Sequence, residues 1–597
     1  MSTRTTPVGS ASSPADDESA PRDGGGQPDE AARPAPVPPV HPEGSTLERT
    51  LLRTDVGPNG FRYHDVAPGE PYVVHTYLGG EAGPDRAGTR RVLASFVHLT
   101  DVHIQDTQSP ARVEYLDRAL DVLPHTPFRA AYRTQEMLST QVAEAAVLSI
   151  DALRVGPATG EPLAFAVSTG DATDNCQRNE LRWAITLFDG GTVTPDSGRI
   201  GRFEGVADSS ADHYDPHYWH PDGTPVDAIG GNDVYRAKKG FPVIPGLLDA
   251  AIRPFEATGL RMPWFTAHGN HDTLVAGNFP EWPYWRRQAV GASKLLGGPG
   301  VGARLTAIVR RVRRQPVRAW EARRRVSPDP ERRLLSRRQI VAEHFDTTGL
   351  PVGHGFTAEN RRAGTAYYVT DVPSAEGVRP VRMIVLDTVN PTGEADGSLD
   401  RKQFAWLKAT LDADPSRLTM IVSHHTAATL KNRLQSPGRL LRNGFRGRVL
   451  GHEVVSALLE RPQVVLWVTG HTHENVVTPH WRTAPDGSRD GGFWEVTTAS
   501  QIDWPQQVRA IEIVDNRDGT LSIFGTVVDS AAATRWDGAL DSPLALASLS
   551  RELAANDPQE SPRTADPTVL VDVDGLRGSL GDRNVELIVP FPAGVEL

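Results

Sequence analysis

Five apolar runs in this chain each stop at a short cluster of aspartate, asparagine or histidine, and that punctuation limits the folds open to it more than any other feature. The runs are "RVLASFVHLTDVH", "LAFAVSTGD", "MPWFTAHGNHD", "LTMIVSHHT" and "VVLWVTGHTH", with a further strand at "VRMIVLDT". Each is short, rich in Val, Ile, Leu and Phe, and bounded by turn residues, as buried strands are. Helical patterns lie between them. Leu138, Val142, Ala146 and Leu153 recur at helical spacing, and Phe404, Leu407 and Leu411, with Trp406 beside them, form a second stripe. Short strands alternating with helices predict a layered α/β protein. In such folds ligands gather just beyond the carboxyl ends of strands, so the five tips are expected to meet at one place.

The tips carry Asp101 and His103; Asp171; Asn270, His271 and Asp272; His424 and His425; and His471 and His473. On extended backbone, residues two apart share a side, so the imidazoles of His471 and His473 are expected to face one object. Any single fragment is ordinary, since an Asp-x-His arises by chance and a Gly-Asp after a strand makes a turn. Five in succession, each ending an apolar run, point to metal. The only cysteine is Cys176, which excludes an intrachain disulfide and a thiolate zinc site, so ligands must come from His, Asp, Asn and Glu. Glycines before Asp171, Asn270 and His471 fit sharp exits where a side chain would crowd the centre.

The ordered set Asp-x-His, Gly-Asp, Gly-Asn-His-Asp, His and Gly-His-x-His, running from Asp101 to His473, resembles the signature of the calcineurin-like metallophosphoesterase superfamily. The helix pattern "DGSLDRKQFAWLKATL" is similar to one in its phosphodiesterase-like branches. This resemblance implies an α/β sandwich of two mixed β-sheets flanked by helices, with a two-metal centre at its edge. It implies Asp101, His103 and His473 on one divalent ion, Asn270, His424 and His471 on the other, and Asp171 bridging both. His424 is favoured over His425 because the family uses the first histidine of such a pair. Imidazole and carboxylate ligands without thiolate suit Mn, Fe, Zn or Co. The implied reaction is hydrolysis of a phosphoric ester, phosphodiester slightly ahead of phosphomonoester: metal-bound hydroxide attacks phosphorus in line, His271 protonates the departing oxygen, and the adjacent Asp272 either fixes the tautomer of His271 or raises its basicity. Two positions depart from known branches. Asp174 stands where purple acid phosphatases carry a metal-binding tyrosine, and Asn175 where serine/threonine protein phosphatases carry a phosphate-binding arginine, so both activities are disfavoured.

Around this frame, residues 1–45 are rich in Pro, Ala, Gly and Asp and read as a disordered tail. The catalytic domain is expected over 46–535, with insertions at about 190–260 and 286–340, followed by a 536–597 extension of unassigned role. The segments "GFWEVTTAS", "VRAIEIVDN" and "TLSIFGTVVD", with "NRDGT" as turn chemistry, predict a closing antiparallel meander. The second insertion is arginine-rich and either contacts a polyanion or decorates a solvated helix. Two alternative functions follow: a nuclease holding nucleic acid on that insertion, or a catalytically silent metal-binding scaffold, which the complete donor set disfavours. The net charge of -11 argues against whole-chain attraction to nucleic acid or anionic lipid. No apolar stretch is long enough for a transmembrane segment and the start of the chain lacks a signal-peptide core, so the cytoplasm is the expected address. His213, His217 and His220 read as a polar loop, and His98, His268 and His452 as packing groups.

Overall fold

The computed structural model describes residues 41–597 apart from 55, 58, 81, 85, 120–130, 229–230, 298–321, 375–376, 436–446 and 558–574. Most of the tail expected at 1–45, and the arginine-dense centre of the second insertion, lie outside the described residues.

The apolar runs form strands because their residues are buried on both faces, and they assemble into two mixed sheets. One sheet has the order Val73–His75, Val585–Pro590, Thr520–Asp529, Gln507–Asp515, Arg91–Leu99, Phe165–Ser168, Trp264–Thr266. Its last three strands run parallel to one another. The other sheet has the order Tyr368–Asp371, Arg382–Val385, Thr419–Val422, Val464–Thr469, Arg489–Thr497, Val476–Thr483, with parallel pairing from Arg382–Val385 through Arg489–Thr497. A core that includes Phe96, Phe165, Ile511, Met420, Val468 and Trp494 lies between the sheets. The helices Ser139–Leu153 and Arg178–Asp189 share a second core with the outer face of the first sheet, through Ala146, Ile150, Leu181, Val97 and Ala166. Arg401–Asp412 and Gly451–Leu459 cover the second sheet through Leu407, Leu411, Val454 and Ile421. Asp400 starts the first of these by accepting the Gln403 N–H, which satisfies an end group that water would otherwise have to reach.

The result is the expected two-sheet sandwich with flanking helices, and it differs from the sequence reading in two connections. The expected meander forms only in part, since Gln507–Asp515 and Thr520–Asp529 pair antiparallel across the predicted turn but the first segment does not join them. Arg489–Thr497 lies in the second sheet, and the chain crosses through residues 498–506 to enter the first sheet at Gln507–Asp515. Local alternation marks a strand but not its sheet, which depends on partners elsewhere in the chain. The segment after 535, expected as an extension, contributes Val585–Pro590 between two strands of the first sheet. It also supplies the helix Pro543–Ala555, whose Leu549 and Leu553 join Trp219, Phe241 and Leu247 of the first insertion in a satellite core. The described part of the second insertion is anchored by buried arginines. Arg332 Nε lies 3.1 Å from Asp106 Oδ2, and Arg324 donates to the Gly205 carbonyl at 2.6 Å. Those two side chains serve as ties to the core, not as a solvent-facing polyanion surface.

Candidate metal centre

All five donor-bearing loops leave the carboxyl ends of parallel neighbours. Arg91–Leu99, Phe165–Ser168 and Trp264–Thr266 in one sheet lead to Asp101, Asp171 and Asn270, while Thr419–Val422 and Val464–Thr469 in the other lead to His424 and His471. The tips therefore converge where the two sheets meet. The exits are sharp. Asp101, His103, Asp171, His471 and His473 have φ of 51°, 46°, 50°, 72° and 61°, the left-handed region that non-glycine residues seldom occupy and that costs on the order of 1–3 kcal/mol each. Strain concentrated on five donors marks a site whose surroundings over-determine it. It also corrects the expected extended geometry of His471 and His473, because the two imidazoles diverge into different halves of the centre.

In the first half, Asp101 Oδ1 lies 3.3 Å from His473 Nε2 and 3.9 Å from His103 Nε2. In the second, His424 Nε2 lies 2.9 Å from Asn270 Oδ1 and 3.1 Å from His471 Nδ1. Asp171 stands between them, its Oδ2 3.2 Å from His424 Nε2 and 3.7 Å from His103 Nε2. Donors bound at ~2.1 Å to one ion sit ~3.0–3.4 Å apart, so several of these separations already have the spacing of a coordination shell. The far oxygen of each carboxylate is tied down. Asp101 Oδ2 accepts from the Thr100 hydroxyl at 2.6 Å and the His471 N–H at 2.9 Å, and Asp171 Oδ1 accepts the His271 N–H at 2.8 Å. Two of the near atoms are not. Among the described residues, buried Asp101 Oδ1 and His103 Nε2 have no hydrogen-bond partner, a loss of ~1–3 kcal/mol each that a cation between them would recover.

Three histidines are oriented through the other ring nitrogen. His103 Nδ1 donates to Asp174 Oδ1 at 3.2 Å, His424 Nδ1 to the Thr169 carbonyl at 3.0 Å, and His473 Nδ1 to Asp503 Oδ2 at 2.5 Å. Each leaves Nε2 facing inward, as a metal-binding imidazole requires. His425 is different. Its Nδ1 accepts from the Thr388 hydroxyl and its Nε2 donates to the Ala395 carbonyl, both at 2.7 Å, so its lone pair is already engaged and His424 is the member of the pair that faces the centre.

The electrostatics fit cations. Burial disfavours charge on every imidazole here, yet Asp171 drives His424 up to about 9, and Asp101 with Asp503 drives His473 up to about 10. Burial likewise opposes ionisation of Asp101 and Asp171, but the surrounding histidines hold both below the usual carboxylate range. His471 moves the other way, held well below its ordinary value by burial and by His425 and His424. A cluster that pulls protons onto its own ligands is short of positive charge, which bound divalent ions supply.

His271 stays outside the two halves, its ring 4.4 Å from that of His103 and edge-on to it. Burial would lower its pKa, but Asp171 and Asp174 outweigh burial and raise it. Its Nδ1 donates to the Asp174 carbonyl at 2.9 Å and lies 3.5 Å from Asp174 Oδ1. This corrects the role expected of Asp272, whose carboxylate accepts the backbone N–H groups of Asp171, Gly269 and Thr173 at 2.9–3.0 Å and does not meet the imidazole of His271. Asp272 shapes the loop, and Asp174 orients the histidine. Asp174 appeared in the sequence only as a departure from other branches, and Asp503 had no local pattern to mark it.

The glycines earn their place sterically. A Cβ on Gly269 would lie 2.1 Å from Asp171 Oδ1, and one on Gly470 would lie 2.0 Å from the Thr100 hydroxyl oxygen. His98 bridges the hydroxyls of Thr498 and Thr169 at 2.7 and 2.9 Å, the packing role expected of it.

Residues 243–475 match the family model for calcineurin-like phosphoesterases, a span that holds Asn270, His271, His424, His471 and His473 and begins after Asp101, His103 and Asp171. Among solved structures the chain is similar to a dimetal phosphatase from Danio rerio, at 12% identity over 74% of this chain and 100% of that one, with a TM-score of 0.32. It is also similar to GAP50, the anchor in the inner membrane complex of Plasmodium (11% identity, 74% and 85% coverage, TM-score 0.26). A third likeness is to the purple acid phosphatase PPD1 from yellow lupin seeds (10% identity, 78% and 53% coverage, TM-score 0.26). No curated protein sequence matches the chain. No helix among the described residues is long and apolar enough to cross a membrane.

Proposed function

We propose that this chain, whose residues 243–475 match the calcineurin-like phosphoesterase family model, is a phosphoesterase that cleaves phosphodiesters at a two-metal centre. Asp101, His103 and His473 would hold one ion, Asn270, His424 and His471 the other, and Asp171 both. The observation that carries this reading is the position of Asp171, one carboxylate oxygen of which lies 3.2 Å from His424 in one half and 3.7 Å from His103 in the other. The bound pair supplies Lewis-acid charge at the phosphoryl oxygens and lowers the pKa of water. Its donor chemistry suits Mn, Fe, Zn or Co.

The chain's own residues do the rest. His271 is fixed through Nδ1 by the Asp174 carbonyl, so Nε2 is the atom that carries a proton to the leaving oxygen. The neighbouring Asp171 and Asp174 favour the protonated ring, the form a general acid starts from. The arginines beside the centre are engaged by carboxylates, Arg112 with Asp174 at 2.5 Å and Glu136 at 2.7 Å, and Arg133 with Asp503 at 2.6 Å. Recognition of phosphate then falls to the ions and imidazoles, which suits a singly charged diester better than a monoester dianion.

The test is elemental analysis of the purified protein followed by turnover of bis(p-nitrophenyl) phosphate, p-nitrophenyl phosphate, cyclic nucleotides, glycerophosphodiesters and single-stranded DNA. Two metal equivalents and a kcat/KM higher for diesters than for monoesters are expected. A protein that takes up no divalent ion after supplementation overturns the centre, and a monoester preference overturns the diester reading alone.

A further inference from the structure

The two histidines on the Asp101 half of the centre are braced by carboxylates, His103 by Asp174 and His473 by Asp503. Asp503 comes from the segment 498–506 that carries the chain from one sheet to the other, and it lies thirty positions beyond its histidine. The same segment is docked on the metal loop through its backbone. The Gln501 N–H donates to the Asp101 carbonyl at 3.2 Å, and the Ile502 N–H to the same carbonyl at 3.3 Å. One crossing segment therefore touches Asp101 through its main chain and His473 through its side chain. On its far side Asp503 meets Arg133, with Nε 2.6 Å from Oδ1 and Nη2 3.3 Å from Oδ2. Asp503 and Arg133 are only 5% and 7% exposed, so water screens the pair poorly.

We propose that Asp503 is a positioning residue for the metal centre, holding His473 with its proton on Nδ1 and Nε2 turned to Asp101, and that Arg133 acts through Asp503 to fix that orientation. The inference rests on the two-metal reading above. Imidazole alone can rotate and can carry its proton on either nitrogen. A carboxylate at 2.5 Å from Nδ1 selects one tautomer and one ring plane, and it makes the opposite nitrogen a stronger donor. Arg133 holds the carboxylate in turn, so its removal should loosen the same imidazole by a smaller amount. Asn270, His424 and His471 are held instead by one another and, through His424 Nδ1, by the Thr169 carbonyl, so the second half of the centre should be spared.

The experiment titrates metal-stripped protein with Mn(II) by calorimetry for the wild type, Asp503→Asn, Arg133→Gln and the double variant, with melting curves of each stripped protein as the folding control. Asp503→Asn keeps the shape and removes the charge. One of two manganese equivalents is expected to weaken by about 10- to 100-fold while the other keeps its affinity. Arg133→Gln is expected to weaken the same equivalent by less, and the double variant to fall short of the product of the single effects, because both act along one path. Wild-type binding of both equivalents in Asp503→Asn, weakening spread equally over both, or single effects that multiply would overturn the proposal. Should Asp503→Asn fail to fold, Arg133→Gln decides by the same titration, and unchanged binding there overturns it. A wild type that binds no manganese sinks the two-metal reading itself, whereas two wild-type equivalents with unaffected variants sink only the relay.

Discussion

Adding one methyl group at Gly269 should disable the centre without changing any ligand. The backbone there is extended, with φ -102° and ψ 171°, so alanine meets no conformational penalty. What excludes it is Asp171, since a Cβ at Gly269 would lie 2.1 Å from Oδ1 and 2.3 Å from the backbone nitrogen of that residue. A carbon and an oxygen in ordinary contact stand well beyond 3 Å apart, so the carboxylate and the loop that bears it must withdraw by about 1 Å, and a misplacement of that size at reacting groups costs on the order of 100-fold. The crowding itself should destabilise the fold by about 1–3 kcal/mol, too little to unfold a domain of ordinary stability. Because Asp171 faces both halves, Gly269→Ala is expected to lower kcat/KM toward a diester by about 100-fold and to weaken both metal equivalents. Gly88→Ala, where nothing stands within 4 Å of the added carbon, serves as the control. The assay pairs metal content by mass spectrometry with steady-state kinetics. Two tightly held ions and wild-type kcat/KM in Gly269→Ala would refute the placement of Asp171 between the two halves.

Other perturbations separate catalysis from stability. His271→Ala should cost about 100-fold or more with an alkyl leaving group and little with p-nitrophenolate, which departs without a proton; equal losses measured on the two ester types would remove its role as acid. Glu552, in the helix Pro543–Ala555, is pushed up to about 7 by burial, against the Trp536 N–H and the nearby Arg535 and Arg551. A raised carboxyl contributes stability that is fully present below its unfolded value of 4.5 and is lost as pH rises through about 7. Glu552→Gln, which keeps the acceptor for Trp536, should match the wild type in acid and exceed it above pH 8 by up to about 3 kcal/mol in urea unfolding; a difference independent of pH would count against this. Chelating the ions should lower Tm, since an ion present at 100 times its Kd contributes about 2.7 kcal/mol, and an unchanged melting curve after complete stripping would contradict ion binding to the folded state alone.

Much of the centre was legible because its chemistry is written in short spans. A strand, a glycine and a donor occupy neighbouring positions, so "STGD" and "HGNHD" disclose both a buried run and the group at its tip. The helix Arg401–Asp412 was readable for the same reason, with Leu407 and Leu411 buried one turn apart. Orientation was not legible. The direction of His473 depends on the Asp503 carboxylate, and that of His271 on the Asp174 carbonyl, because an acceptor that supports an imidazole need only be near it in space. The sheet assignment of Arg489–Thr497 was hidden likewise, since alternation records burial and leaves the hydrogen-bonded neighbour unspecified.

The amino-acid order by itself determined which side chains are available to bind metal and that they terminate buried strands, because periodicity and turn chemistry act over a few residues. Only the tertiary structure decided that Asp503 meets His473, that Asp272 is tied to the backbone of Asp171 and Thr173, and that the last strand, Val585–Pro590, completes the first sheet. Those outcomes depend on packing between segments far apart in the chain, where burial of side chains selects one arrangement among many that local preferences leave equally open.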